Sequence, residues 1–261
     1  MNLMICMRGE PEELPFLPEI AALGAGIELH SYGLVGIQSE RDWQARFALH
    51  RAMCSQFDGT IAIHGPFIGM EYTHIDHLIR DVVIRRLDMT FDAAVTLASS
   101  RVVLHSGYKA ENDLFKLQDV WLARSLEFWQ REIHRWADAG IVVVLENDID
   151  KSPDLLVQLV NQVDSPFLGL CLDIGHQHVF SELDVLEWVR RMGDRLRHVH
   201  LHDNDGTGDN HWRIGRGTID FEPFYDAIER QVPEATMSLE VEDKMEVRMR
   251  DLRQLSVRFA A

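Results

Sequence analysis

Six short apolar runs in this chain each carry an imidazole or a carboxylate at or near their C-terminal end. They read Ile63-His64-Gly65-Pro66, Leu104-His105-Ser106-Gly107, Leu145-Glu146-Asn147, Leu172-Asp173-Ile174-Gly175-His176, Val199-His200-Leu201-His202-Asp203 and Leu239-Glu240-Val241. A further set, Asp209-Asn210-His211, precedes Ile214-Gly215-Arg216-Gly217. Any one of these histidines alone reads as a hydrogen-bonded strand end, and Glu146 alone as half of a buried ion pair. The series does not. The chain has 13 His and 42 acidic residues among 261, so six successive run ends of that type are not expected by chance. Carboxylates converging in a low-dielectric mouth raise one another's pKa unless a cation neutralises them. Mixed imidazole and carboxylate donors suit zinc, manganese or iron, whereas magnesium and calcium prefer all-oxygen shells. A nucleophilic triad fits worse. No Gly-x-Ser-x-Gly elbow is present, and Ser106 and its neighbour His105 point to opposite faces of a strand.

The elements that must position these groups form a repeating unit of apolar run, turn and helical pattern. The runs are Leu3–Met7, Gly26–Ser31, Thr60–Phe67, Arg101–Tyr108, Ile141–Asn147, Leu168–Asp173, Leu196–Asp203 and Met237–Val241. Nearly continuous Val, Ile and Leu marks parallel strands covered on both faces. Helical periodicity appears over Asp76–Leu97 and over Asp119–Ala139, where Trp121, Trp129 and Trp136 recur on one face. Further helices are expected over Asp42–Gln56, Phe221–Gln231 and Glu246–Arg258. Ser152-Pro153-Asp154 reads as an N-cap followed by Pro, and Ser181–Asp184 as a capping box. The expected fold is therefore an α/β single-domain (β/α)₈ TIM barrel spanning 1–261, with its chemistry at the C-terminal ends of the strands. A doubly wound sheet is the alternative, but the first strand–helix turn lacks GxGxxG.

Composition narrows the partners. The formal charge of −16 argues against a protein that grips a nucleic-acid duplex by its phosphates. It leaves room for a small anion, because bound metal ions reverse the local field. Cys6, Cys54 and Cys171 are widely spaced, with no CxxC pair, and read as unpaired thiols in a reducing compartment. The N-terminus lacks a charged leader region, and no apolar run approaches spanning length. The expectation is a cytoplasmic protein without membrane contact.

These residues resemble the xylose-isomerase-like TIM barrels, which join sugar isomerases and epimerases with endonuclease IV-type apurinic endonucleases. The resemblance runs from about Thr60 to Val241. It implies a mononuclear core of Glu146, Asp173, His200 and Glu240. It also implies two outer sets like those of the three-zinc endonucleases: His64 and His105 with a bridging Glu146, and His176, Asp209 and His211. The Asp-x-His followed by Ile-Gly-x-Gly resembles the endonuclease pattern more than the epimerase one. Two departures count against abasic-site repair: the Gly-x-His opening is missing, and no basic or wedge-bearing DNA loops are evident.

The chemistry so implied is metal-assisted hydrolysis of a small sugar-phosphate or nucleotide-like phosphoester at two or three zinc ions. The alternative is isomerisation or epimerisation at one manganese-like ion, with Glu146 and Glu240 relaying a proton. Glu146, Glu240 and Asp173 are the catalytic candidates under either. Lys109, Arg213 and Arg216 are candidates for a phosphate, and His202 for substrate contact or, with Asp203, support of the ligands. His198 reads as a core residue one layer below His200. His178, Tyr72, His74 and Tyr108 are candidate pocket residues, whereas His30, His50 and His134 carry no motif and read as structural or exposed.

Overall fold

The computed structural model describes residues 2–33 and 40–260. Eight strands, β1 (Asn2–Met7), β2 (Gly26–Leu29), β3 (Ile61–His64), β4 (Arg101–His105), β5 (Val142–Glu146), β6 (Leu168–Asp173), β7 (Leu196–Leu201) and β8 (Thr236–Leu239), close into a barrel in chain order. Every pairing is parallel, including the closing pair of β1 with β8. Helices pack around it: α1 (Leu17–Ala22), α2 (Glu40–Cys54), α3 (His77–Thr96), α4 (Ala110–Leu114), α5 (Gln118–Asp138), α6 (Asp154–Val163), α7 (Ile174–Phe180), α8 (Val185–Met192), α9 (Phe221–Gln231) and α10 (Met245–Ala260).

The strands end one to three residues earlier than the apolar runs at most C-terminal ends, because the chain leaves the ladder where the ligand-type residues begin. Strand alternation then sorts the side chains. Val143, Leu145, Leu170, Leu172, Val199 and Leu201 join the large core between barrel and helices, together with Trp121, Trp129, Trp136 and Trp188. The opposite parity faces the barrel interior, where Val103, Val144 and Cys171 form a small separate cluster. Glu28, His64, His105, Glu146, Asp173, His198, His200 and Glu240 share that inward parity.

Two cap expectations are corrected. Asp184, not Ser181, caps α8, accepting the Leu186 N–H at 2.7 Å. Ser181 instead closes α7 and accepts the Leu183 N–H at 3.1 Å, so no capping box forms. Helix α6 begins at Asp154 with Pro153 in the cap position, one residue later than the sequence pattern suggested. The three cysteines are unpaired, Cys6 and Cys171 buried and Cys54 half-buried. Among the described residues no helix is long and apolar enough to cross a membrane.

Candidate metal centre

The nine residues singled out by position converge at the C-terminal mouth of the barrel. Glu146, buried at the end of β5, sits at the middle. Its Oε2 lies 3.2 Å from Nε2 of both His64 and His105, and its Oε1 lies 2.7 Å from Nδ1 of His200. The same His200 nitrogen is 3.0 Å from Glu240 and 3.7 Å from Asp173. On the far side, Asp209 Oδ2 lies 3.2 Å from His176 Nε2 and 3.0 Å from His211 Nε2. Seven of the nine line a cavity of about 670 Å³, and Asp173 and His200 lie fully buried beneath it.

Local structure explains each placement. Asp173 is both the last residue of β6 and the N-cap of α7, accepting the His176 N–H at 2.7 Å, which turns the His176 ring back over the mouth. The Asn147 side chain clamps the backbone of Asp173 from both sides at 2.8 and 3.0 Å. The loop bearing Asp209 and His211 is tied down by Asp203, whose carboxylate accepts from the N–H groups of Gly215, Gly217 and Ile219. Asp203 is thus an organiser of that loop. Gly217 is required there, since a Cβ would run into the Asn204 carbonyl.

The outer nitrogens of the imidazoles decide what the inner ones can do. Nδ1 of His64 donates to the Gly65 carbonyl at 2.8 Å, Nδ1 of His176 to Asn147 at 2.9 Å and Nδ1 of His211 to Glu240 at 3.0 Å. Nδ1 of His105 donates to Asp148 at 3.4 Å, and Nε2 of His200 to Glu28 at 3.0 Å. With its outer proton committed, each inner nitrogen either carries a second proton or turns a bare lone pair toward a carboxylate. A divalent cation between them resolves that conflict, and carbonyl or carboxylate partners on the outer nitrogen are what metal-ligating histidines have. Ligand atoms of His64, Glu146 and His200, and those of His176, Asp209 and His211, lie within 4.8 Å of one another. The residues fit a metal centre.

Electrostatics agrees. Burial pushes the Glu146 carboxyl up, but His200 and His105 outweigh it and hold it well below the carboxylate range. Burial likewise opposes ionisation of Glu240, which His200, His30 and His211 then hold low. Burial would lower the His211 imidazole, but Glu240 and Asp209 push it up to about 10. His176 and His200 are held well above the usual imidazole value against the same burial.

Other expectations fare differently. His202 is buried with Nε2 at 3.0 and 3.1 Å from the two Asp173 oxygens, and its ring stacks on His211 at 3.9 Å, so it braces Asp173 and His211 and does not line the cavity. Gly175 makes room for that ring. A Cβ there would overlap it, so Gly175→Ala is expected to cost roughly 1–3 kcal/mol of stability. Chemical denaturation checks this, and a fully stable variant would count against it. Lys109 reaches the site only through Asp148, at 3.8 Å. Arg216 lies over Trp212 and Arg213 faces Asp251; neither lines the cavity, whose cations are Arg8, Lys244 and Arg248. Tyr72 stacks on Phe128, Tyr108 bonds Asp113, His74 accepts the Asp76 N–H and His178 meets Thr218, all away from the cavity lining. His50 is structural, bonded to Tyr32, and His134 is exposed.

Three contributors escaped the sequence reading. His30 lines the cavity with Nε2 2.7 Å from Glu240, Glu28 holds His200, and Asp148 holds His105. Glu28 and His30 stand two apart in Ile27-Glu28-Leu29-His30, the spacing that places both on one strand face. That signal was available in the second run.

A family model described as the xylose isomerase-like TIM barrel matches residues 20–256. The chain belongs to that family. The match is wider than the Thr60–Val241 stretch on which the motifs lie. Among curated relatives, a fructoselysine 3-epimerase of Escherichia coli O157:H7 is 30% identical over 180 residues, covering 64% of this chain and 60% of its own. A probable endonuclease 4 of Mycobacterium leprae is 24% identical over 180 residues, covering 64% and 68%. The match spans 59% of the length of an uncharacterized Methanocaldococcus jannaschii protein, which is 28% identical over 173 residues, or 64% of this chain. Among solved structures, the TTHB071 protein from Thermus thermophilus, soaked with ZnCl₂, superposes with a TM-score of 0.76 at 27% identity over 99% of both chains. A D-tagatose 3-epimerase-like protein reaches 0.78 at 21% identity, over 100% and 97%, a likeness of fold. The family thus has sugar epimerase and endonuclease IV-like relatives of this chain.

Proposed function

We propose that this family member is a multinuclear divalent-metal enzyme that hydrolyses a phosphoester in a small, polyhydroxylated substrate. The observation that carries the reading is the arrangement of surplus ligands. His64, His105, His176, Asp209 and His211 are unnecessary for a mononuclear site, yet all five face the cavity with their outer nitrogens or carboxylate oxygens already bonded. Zinc or similar ions would supply Lewis acidity to a phosphoryl oxygen and acidify water at neutral pH. Glu146, with one oxygen toward each of two ligand sets, would bridge them. Asp173, His200 and Glu240 would complete the inner set and His64 and His105 the second, with His176, Asp209 and His211 forming a third. His30, beside Glu240 and open to the cavity, would bind a substrate hydroxyl or phosphoryl oxygen. Arg8 and Lys244 at the rim are the cations placed to meet a phosphate.

A second reading is epimerisation of a sugar, with Glu146 and Glu240 moving a proton on either side of the substrate. Two observations favour it. Arg213 and Arg216 are turned away from the cavity, and the fructoselysine 3-epimerase is among the more similar relatives.

Elemental analysis separates the two. Hydrolysis predicts two or three zinc-type equivalents per chain, and loss of about one equivalent in each of His64→Ala and His211→Ala, with phosphate release falling in step. If both variants keep full metal content and activity, the outer sets are not metal sites and the epimerase reading stands.

A further inference from the structure

The five imidazoles at the mouth do not bind their outer partners in the same way. Three of them donate to a backbone carbonyl close by, and His105 to Asp148. His200 alone turns Nδ1 inward, and its Nε2 points down into the barrel to a carboxylate on another strand. That carboxylate, Glu28, is wholly enclosed. Its Oε1 takes His200 Nε2 at 3.0 Å, and its Oε2 takes His198 Nε2 at 2.9 Å and the Ser238 hydroxyl at 2.5 Å. His198 Nδ1 meets the Thr236 hydroxyl, and Thr236 meets Nη1 of Arg101, at the opposite end of β4 from the metal centre.

The direction of this chain is fixed from both ends, by a guanidinium that only donates and a carboxylate that only accepts. A guanidinium has donors only. Thr236 Oγ1 therefore accepts from Arg101, and with His198 Nε2 donating to the Glu28 carboxylate its own proton goes to the bare Nδ1 of a singly protonated His198. His198 is then the Nε2–H tautomer, and donates that proton to Glu28. An ionised carboxylate only accepts, so His200 must also place a proton on Nε2, which leaves Nδ1 as the nitrogen that a cation among Glu146, Asp173 and Glu240 would take.

We infer that Arg101, Thr236, His198 and Glu28 form a directed hydrogen-bond relay through the barrel core that fixes His200 as an Nδ1 metal ligand. The inference rests on the metal reading above. Glu28 is a positioning residue: it touches no cavity surface and acts through His200. Ser238 adds a third donor that keeps the carboxylate from rotating. The cost of enclosing an ionised carboxylate among strands is offset by three donors and by Arg101 nearby. Hydrophobic residues of the same size would pack this layer as well, so the polar chain is better explained by what it does for His200 than by stability.

Zinc affinity of the full-length protein, measured by competition with a chromophoric chelator, tests the relay. Glu28→Gln has one acceptor oxygen where the carboxylate has two, and sets an amide N–H₂ against an imidazole donor. Loss of such an outer partner costs about 10- to 100-fold in metal affinity. Thr236→Val keeps the volume and removes the hydroxyl, with a smaller expected loss of roughly threefold or more. Thr236→Ser restores the hydroxyl and is expected to bind as wild type. Val103→Ala, in the same interior, is expected to lower thermal stability without changing affinity. Long-range ¹H–¹⁵N spectra of the zinc-loaded protein should show His200 protonated at Nε2. Wild-type affinity in Glu28→Gln, or His200 ligating through Nε2, would overturn the relay while leaving the metal centre intact. A wild-type chain that binds no zinc would overturn both.

Discussion

Glu146→Gln is expected to remove metal from two ligand sets at once and to lower turnover by more than the roughly 100-fold that an outer partner costs. The reason is geometric. One oxygen of Glu146 faces His64 and His105, and the other faces His200, which in turn faces Glu240. Removing the charge leaves His200 with Asp173 and Glu240 but leaves His105 with only Asp148 and His64 with only the more distant Glu240. Gln also turns an N–H₂ toward imidazoles whose outer nitrogens already donate. Asp209→Asn provides the contrast. It touches only His176, His202 and His211, so about one equivalent should be lost and the inner set retained. Metal content by elemental analysis, with thermal melts to establish folding, distinguishes the two variants. Equal metal loss in both would show that Glu146 does not bridge.

The second large effect is with pH. In protein stripped by a chelator, His64, His176, His200 and His211 are all held above the usual imidazole value, His211 at about 10. Groups so raised hold their protons to higher pH than a free imidazole, and binding a cation must displace those protons. Zinc affinity should therefore rise with pH between 6 and 9, roughly tenfold per pH unit for each proton displaced. Calorimetry in buffers of different ionisation enthalpy should count at least two protons released per chain. The stripped protein should move the other way. A pKa raised on folding contributes stability that is complete below the unfolded value near 6.5 and is lost as pH climbs through the folded one. Melting temperature should accordingly fall from pH 7 to 10 in the stripped protein and much less in the zinc-loaded one. A pH-independent affinity would mean that the imidazoles are not ligands.

The relation between Asp209 and His176 shows why these effects could not have been ranked beforehand. They are 33 residues apart, and their contact at 3.2 Å depends on Asp203 gathering three backbone N–H groups of the intervening loop. Asp203 looked like support for a metal ligand because it follows His200-Leu201-His202. Its parity and its bonds make it the anchor of the loop. Arg213 and Arg216 sit in that same loop, and its folding turns them away from the cavity while bringing His211 in.

The sequence alone was enough for the barrel and for which side chains meet at its mouth. Parallel strands buried on both faces leave a near-continuous apolar signature, so all eight were visible, and a strand end is the one place where such a run can stop on His, Asp or Glu without burying an unpaired charge. Strand parity then dictates that His64, His105, Glu146, Asp173, His200 and Glu240 face inward together. Tertiary structure alone decided which nitrogen each imidazole turns to its neighbours, that His30 stands beside Glu240, and that Glu28 reaches His200 from 172 residues away. Spacing along a chain fixes the face on which a side chain lies. The partner of its outer nitrogen is set by strands that meet only when the barrel closes.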